Sequence, residues 1–305
     1  MAIDVPRLRL HLALAMISAA VIAYQLTLMQ ILSVVQWHHF AYMIIAVALL
    51  GFGAAGACLS LLRPWLMIHF ASLLPLAMYL SGTAMALMTG ITQSSWVRFD
   101  SMLLFTGISQ LLRLLLTYCL YFLPFFLAAL AIGMIFVHAA GNIGRLYFWN
   151  LTGSGAGGAA MTGLLWLFPP PMLPGLVALL AIAAAMLVLP EGLHGPVFSR
   201  KVIGGAGILP PPEGGAAGQH SGAPGRHPRK RWRRLLIVAA LLSGLAAVFS
   251  LIRPPVLILS EFKGLSRALH LPDARITHER SSPYGLMQIF SSPALRYAPG
   301  LSLTY

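Results

Sequence analysis

The stretch Leu12–Val35 reads LALAMISAAVIAYQLTLMQILSVV and holds no charged side chain over 24 consecutive positions. A bilayer core about 30 Å thick is crossed by roughly 20 apolar residues in a helix that rises about 1.5 Å per residue. Backbone amides cannot stay unpaired in hydrocarbon, so this stretch predicts a membrane-spanning helix. It is longer than the apolar core of a signal peptide, which favours an uncleaved first span.

Further apolar stretches of similar length follow along the chain. The predicted spans are Leu12–Val35, Phe40–Leu62, Trp65–Gly90, Leu114–His138, Leu146–Phe168, Met172–Leu189 and Leu235–Ile252. The chain is 58% hydrophobic and 9% charged, whereas soluble domains carry about 25% charged residues. We therefore expect an all-α polytopic membrane protein with about seven transmembrane helices.

The composition divides the chain into four predicted parts. They are a six-span membrane domain (1–189), a Gly/Pro-rich basic linker (190–234), the seventh span (235–252) and an incomplete soluble segment (253–305). In the last part, residues 274–279 and 286–290 have strand character and flank a turn that contains Pro283 and Gly285, so a short C-terminal β-hairpin is expected. A two-stranded hairpin is marginal in water, and this one needs a partner.

The loop between the third and fourth spans has a helical pattern of its own. Over Trp96–Arg113 the polar side chains fall on one side of a helical wheel and the apolar ones on the other. This pattern predicts an amphipathic helix lying flat in the membrane interface.

The positive charge lies mostly between the spans. The formal net charge is +13, but it is not arranged like the groove of a nucleic-acid-binding protein, so no nucleic-acid partner is expected. Arg7, Arg9, Arg63, Arg145 and the linker all fall on one side of the predicted spans, and an excess of Lys and Arg marks the cytoplasmic side. The N-terminus is therefore predicted to be cytoplasmic, and seven spans would put the tail on the opposite side.

Two glycine patterns resemble nucleotide-binding loops. Both lie inside predicted spans, and neither has the strand, the helix start or the following acidic residue that dinucleotide sites require. Small residues let membrane helices approach closely, so helix packing is the preferred interpretation and no cofactor is expected. The glycines are Gly51, Gly53 and Gly56 in the second span and Gly153, Gly155 and Gly157 in the fifth.

Polar side chains follow the first span at helical spacing. Ser18, Gln25 and Ser33 share one face, with Tyr24 and Gln30 alongside. They are expected either to make interhelical hydrogen bonds or to line a path for a small molecule. No Asp or Glu occurs in any predicted span, which counts against a proton-coupled transporter.

His38 and His39 lie in the predicted turn between the first two spans, beside Trp37 and Tyr42. Neutral imidazoles can ligate a metal or haem, but adjacent histidines diverge by about 100° on a helix, and no second ligand is set by local spacing. Anchoring at the membrane interface is therefore the preferred interpretation, and metal or haem ligation is the alternative. No catalytic or cofactor-binding residue is predicted, and His38 and His39 are the candidate metal ligands.

Several runs resemble bacterial membrane-bound spermidine-synthase-like proteins. In the membrane part they are YQLTLMQILSVVQWHHFAYM (24–43), LLGFGAAG (49–56) and YFWNLTGSG (147–155). In the tail, FKGLSRAL (262–269) and ERSSPYG (279–285) are similar to the segment that opens the soluble domain of that family.

The resemblance implies a place in the bacterial inner membrane. It also implies a full-length parent that is a SAM-dependent, aminopropyltransferase-like enzyme, with a Rossmann-like catalytic domain after the hairpin. This chain is expected to stop before that domain and to anchor or present it without being catalytic alone. Its expected partners are the lipid bilayer and a separate transferase domain or other membrane subunits. The alternatives are a small-molecule or polyamine transporter or channel, and a structural or haem-binding subunit of a membrane complex.

Overall fold

The computed structural model describes residues 5–36, 39–105, 107–189 and 228–294. Within these ranges the chain forms a helical bundle followed by one antiparallel β-hairpin. The helices are α1 (Val5–Val35), α2 (His39–Ile68), α3 (Phe70–Thr92), α4 (Ile108–His138), α5 (Ile143–Leu167), α6 (Leu173–Leu187), α7 (Pro228–Ile252) and α8 (Gly264–Leu269). The strands are β1 (Arg275–Ser282) and β2 (Gly285–Ser291).

Among the described residues, six helices are long and apolar enough to cross a membrane: α1, α2, α3, α4, α6 and α7. For α6 the apolar stretch includes the short 3₁₀ turn before it. The predicted fifth span does form a helix, α5, but it is not one of these six. Small and polar residues such as Asn150, Thr152 and Ser154 dilute its apolar character. The described residues thus form a mostly helical fold with six helices of this kind, where the sequence predicts about seven.

Helix α1 lies at the centre of the bundle. It packs against α2, α4, α5 and α6, while α3 packs against α4, α6 and α7. Tyr24, Tyr79, Tyr121 and Phe125 are among the largest fully buried side chains, and they fill the space between α1, α3 and α4. The outer faces of α2, α5 and α7 are rich in exposed large apolar side chains, which is the surface expected to contact lipid.

The predicted interfacial helix over 96–113 is wrong. The chain instead makes a 3₁₀ turn at Ser101–Leu103, and α4 begins only at Ile108. Asp100 accepts a hydrogen bond from the Met102 backbone N–H with its Oδ1 atom at 3.0 Å, and Gly107 is extended. A capping Asp and an extended Gly favour turns over a continuous helix, and they override the helical pattern.

The predicted C-terminal hairpin is confirmed. β1 and β2 pair in register from Arg275 opposite Ser291 to Ser282 opposite Gly285, with one irregularity between Ile276 and His278. Gly285 has a φ of +156°, a conformation that L side chains rarely adopt. Most of the predicted linker lies outside the described residues, but α7 begins at Pro228, so the last residues before 235 are helical.

Candidate functional site

The glycine pattern of the fifth predicted span forms the contact between α5 and α1. A Cβ atom added at Gly153 would come within 2.6 Å of the Ala15 Cα, and one added at Gly157 within 2.6 Å of the Ala19 Cα. Gly155, between them, has no such neighbour within 4 Å. Two glycines four residues apart therefore let the backbones of two parallel helices touch, as in small-xxx-small membrane contacts.

The second glycine pattern is divided in the same way. A Cβ atom at Gly51 would lie 2.8 Å from the Phe125 Cβ, so this glycine lets α2 approach α4. Gly53 and Gly56 have no such neighbour within 4 Å. Neither pattern lies in a strand–loop–helix unit, because both are inside long helices.

The N-terminal part of the polar α1 face, Ser18 to Gln25, meets two different helices. The Ser18 hydroxyl oxygen lies 2.7 Å from both the Leu14 carbonyl oxygen and Asn150 Oδ1, and its one proton is donated to either of them; the contact with Asn150 ties α1 to α5. Tyr24 is fully buried, and its ring packs on Phe125 of α4 with 5.6 Å between centroids. Gln25 is half-buried. Ser18 and Tyr24 thus contact two separate helices, as in interhelical packing.

The C-terminal part of this face, Gln30 and Ser33, meets the tail. Gln30 Nε2 donates to the Ser282 carbonyl of the hairpin at 3.0 Å. Ser33 donates to the Gln30 carbonyl at 2.8 Å, and its own carbonyl accepts from Lys263 Nζ at 2.7 Å. The structure thus brings Gln30 and Ser33 to the place where the tail returns to the bundle.

Lys263 closes the C-terminal end of α1. Its Nζ donates to the Ser33 carbonyl and also to the Val34 carbonyl. These carbonyls belong to the last turn of α1, where no helical N–H follows to pair with them. The negative end of the helix dipole also lies there and favours a cation. The Lys263 ammonium therefore pairs with two carbonyls and lies at the negative end of the α1 dipole.

Ser260 and Asp100 make a second connection beside it. The Ser260 hydroxyl donates to Asp100 Oδ2 at 3.0 Å, and the Ser260 backbone N–H donates to the Val35 carbonyl at 3.3 Å. Ser260 is buried. We call Gln30, Asp100, Ser260 and Lys263 the docking cluster, because these four side chains join the tail to the C-terminal end of α1 and to the loop before α4.

The loop before α4 and the end of α3 are tied to the same region. Gln36 Nε2 donates to the Phe99 carbonyl at 2.8 Å, and Gln93 Oε1 accepts from the Ile258 backbone N–H at 3.4 Å. Hydrogen bonds between residues far apart in sequence thus link the C-terminal ends of α1 and α3 to the loop and to the tail. Such a network holds the tail in one position.

Burial changes the acidity of one member of the docking cluster. Removal from water disfavours the charged ammonium, and this lowers the pKa of Lys263 from its usual 10.5 to about 8. The amine remains mostly protonated at neutral pH and keeps its N–H donors in either form.

His38 lies outside the described residues, and His39 is the first residue of α2 with its side chain outside the description. Among the residues that the structure describes, no three His, Cys, Asp or Glu side chains lie together in a way that could hold a metal ion. Haem or metal ligation by the histidine pair stays a prediction.

Sequence reasoning did not find Asp100, Ser260 or Lys263. Lys263 is the one Lys after residue 230, which was a usable signal for a specific role. Its partners on α1 could not be found from spacing, because 230 positions separate the two ends of the Lys263–Ser33 hydrogen bond.

No protein-family model matches this chain, and neither a curated protein nor a solved structure is similar to it. The resemblance to spermidine-synthase-like proteins stays a prediction.

Proposed function

We propose that this chain is a membrane anchor that holds an extramembrane segment in a fixed position on the end of its helical bundle. The docking cluster carries this proposal. Lys263 and Ser260 bind backbone carbonyls at the end of α1, and the hairpin accepts a hydrogen bond from Gln30. A tail that only trailed from the last span would need none of these contacts.

The finer proposal concerns what the anchor presents. By its resemblance to the spermidine-synthase-like family, the presented unit is a transferase domain that continues from the hairpin or joins it as a separate chain. Trp166 near the end of α5 contacts Tyr284 at the hairpin tip, with 6.5 Å between ring centroids. The hairpin therefore rests on both α1 and α5, which supports a presenting role.

The proposed topology has seven spans, with α5 as the fifth, in a bacterial inner membrane. Helix α5 runs parallel to α1, since Gly153 meets Ala15 and Gly157 meets Ala19. The tail meets the C-terminal end of α1, so a cytoplasmic N-terminus puts the tail outside. Adenosylmethionine-type donors are cytosolic, so in this orientation the presented transferase-like domain has a chemistry other than polyamine synthesis.

Cross-linking tests whether the tail is docked in the membrane. In a background with Cys58→Ala and Cys119→Ala, Gln30→Cys and Ser282→Cys are combined, and a protease site is placed between residues 190 and 227. After treatment with a short thiol cross-linker and protease, the two halves should stay joined. Leu62→Cys paired with Ser282→Cys is the control, because Leu62 lies near the opposite end of the bundle, and this pair should separate.

Lys263→Met then tests the cause of docking. The substitution removes two hydrogen bonds from a charged donor, each worth about 1.5 kcal/mol or more, so the ratio of docked to free tail should fall by about a hundredfold or more. Arg267→Met, an exposed cation one turn later, is the matched control and should leave cross-linking unchanged. Equal cross-linking in both variants, or none in the parent pair, would contradict the anchor proposal.

A separate measurement addresses catalysis. Purified chain is incubated with labelled S-adenosylmethionine or its decarboxylated form and with polyamine acceptors. We expect no transfer of a methyl or aminopropyl group. Transfer by the chain alone would show that it is an enzyme and not an inert anchor.

A further inference from the structure

A groove of about 400 Å³ opens between the C-terminal ends of α3 and α7, next to the docked tail. Its volume falls within the range of about 300 to 1,000 Å³ typical of small-molecule sites. The walls are mostly apolar. The residues that matter for the argument are Leu87, Gly90 and Ile91 on α3, Phe249 on α7, and Pro255 and Val256 after it.

One polar group in the wall has no partner in the protein. Ser250 lines the groove and is only 3% exposed, yet its hydroxyl makes no hydrogen bond. Buried hydroxyls are nearly always paired, and a serine in a helix usually bonds the carbonyl one turn back. The Ser250 oxygen is also closed to solvent, so the side chain adds only carbon to the accessible wall of the groove.

A cation stands at the mouth of the same groove. Arg253 lines the groove, is exposed, and has no carboxylate partner among the described residues. It follows α7 directly, at the depth where hydrocarbon gives way to lipid headgroups. Phe249 and Ile252 on the same helix are more than half exposed, so the groove borders an apolar surface from which a lipid can enter.

We propose that this groove binds an anionic phospholipid. One acyl chain lies along Leu87, Ile91 and Phe249, and the phosphate pairs with Arg253 at the mouth of the groove. The apolar walls fit a hydrocarbon chain, and the guanidinium fits a phosphate in bidentate geometry. The site is distinct from the docking cluster and does not depend on what the tail presents.

Lipid titration of the purified full chain tests the charge requirement. Phosphatidylglycerol and phosphatidylcholine with the same acyl chains are added to delipidated protein in detergent, and bound lipid is counted by native mass spectrometry. Phosphatidylglycerol should bind at least about fivefold more tightly, and Arg253→Gln should remove that preference. Arg267→Gln, which changes the same charge on α8, should keep it. Equal binding of both lipids by the parent chain would overturn the proposal.

A second variant tests the acyl chain. A Cβ atom at Gly90 meets only Pro255 Cβ, at 3.9 Å, so Gly90→Leu should fold and fill the groove with its side chain. Binding of phosphatidylglycerol at this site should be lost. Gly163→Leu on α5 is the matched control, since a Cβ there has no such neighbour within 4 Å, and it should bind as the parent does. Binding retained in Gly90→Leu would refute the acyl-chain assignment.

Inorganic phosphate separates a lipid site from a simple anion site. If the groove holds lipid, millimolar phosphate should not displace phosphatidylglycerol. Displacement by phosphate in the parent chain, together with phosphate binding that survives Gly90→Leu and is lost in Arg253→Gln, would overturn the lipid proposal.

Discussion

Substitution of Gly153 by Ala should separate α1 from α5. The new Cβ would lie 2.6 Å from the Ala15 Cα, about 1 Å inside normal carbon contact. The neighbouring atoms are backbone, so no side-chain rotation can relieve the clash, and the helices must move apart. Overpacking of this kind costs about 1 to 3 kcal/mol.

Gly155→Ala is the matched control for this experiment. It makes the same chemical change two positions away in the same helix, where nothing lies within 4 Å of the new Cβ. Both variants gain the same helix propensity, about 0.5 to 1 kcal/mol, so the difference between them isolates the clash.

The free energy of unfolding of both variants is measured by SDS titration in mixed micelles and followed by circular dichroism. Gly153→Ala should be less stable than Gly155→Ala by about 1 to 3 kcal/mol. Equal stability of the two variants, or a larger loss in Gly155→Ala, would refute the close contact between α1 and α5.

Three further predictions follow from the same geometry. Asn150→Leu removes the partner of the Ser18 hydroxyl and should lower the free energy of unfolding in the same titration by about 0.5 to 2 kcal/mol. Position 284 is 92% exposed, so Tyr284→Cys should react with a membrane-impermeant maleimide in intact spheroplasts. If the new cysteine is labelled only after lysis, the tail lies on the cytoplasmic side. Lys263, one of three lysines, should titrate near its lowered pKa of about 8 in competitive acetylation. A pKa near the usual 10.5 would contradict its burial beside the end of α1.

The membrane helices were predictable because hydrophobic length is a local property. The predicted first span, Leu12–Val35, ends where α1 ends, and α1 simply begins earlier, at Val5. The predicted second span stopped at Leu62, but α2 continues through Pro64 to Ile68. Proline is tolerated in membrane helices, so it is a weak signal for the end of one.

The loop before α4 was misjudged because two local residues outweigh a periodic pattern. Asp100 caps a 3₁₀ turn with its side chain, and its other carboxylate oxygen is held by Ser260 from the tail. A helical wheel contains neither the cap nor the distant hydroxyl. The apolar residues of 96–113 therefore gave the right periodicity for a helix that the chain does not form.

The docking cluster and the lipid groove could not be predicted from one sequence. Each joins residues that are far apart in the chain, such as Ser33 with Lys263 and Gly90 with Pro255. Spacing arguments cover neighbours within a helix or a strand pair, and no motif encodes these pairings. The β-hairpin was predictable as a local unit, but its resting place on Gln30 was not.

The lysine at the end of α1 has a consequence for biosynthesis. The Ser33 carbonyl leaves the ribosome 230 residues before the ammonium that pairs with it. Until Lys263 is translated, interfacial water must satisfy that helix end. Helix α1 can therefore enter the membrane long before the Lys263 contact closes its C-terminal end, so insertion of α1 and completion of that end are separate events.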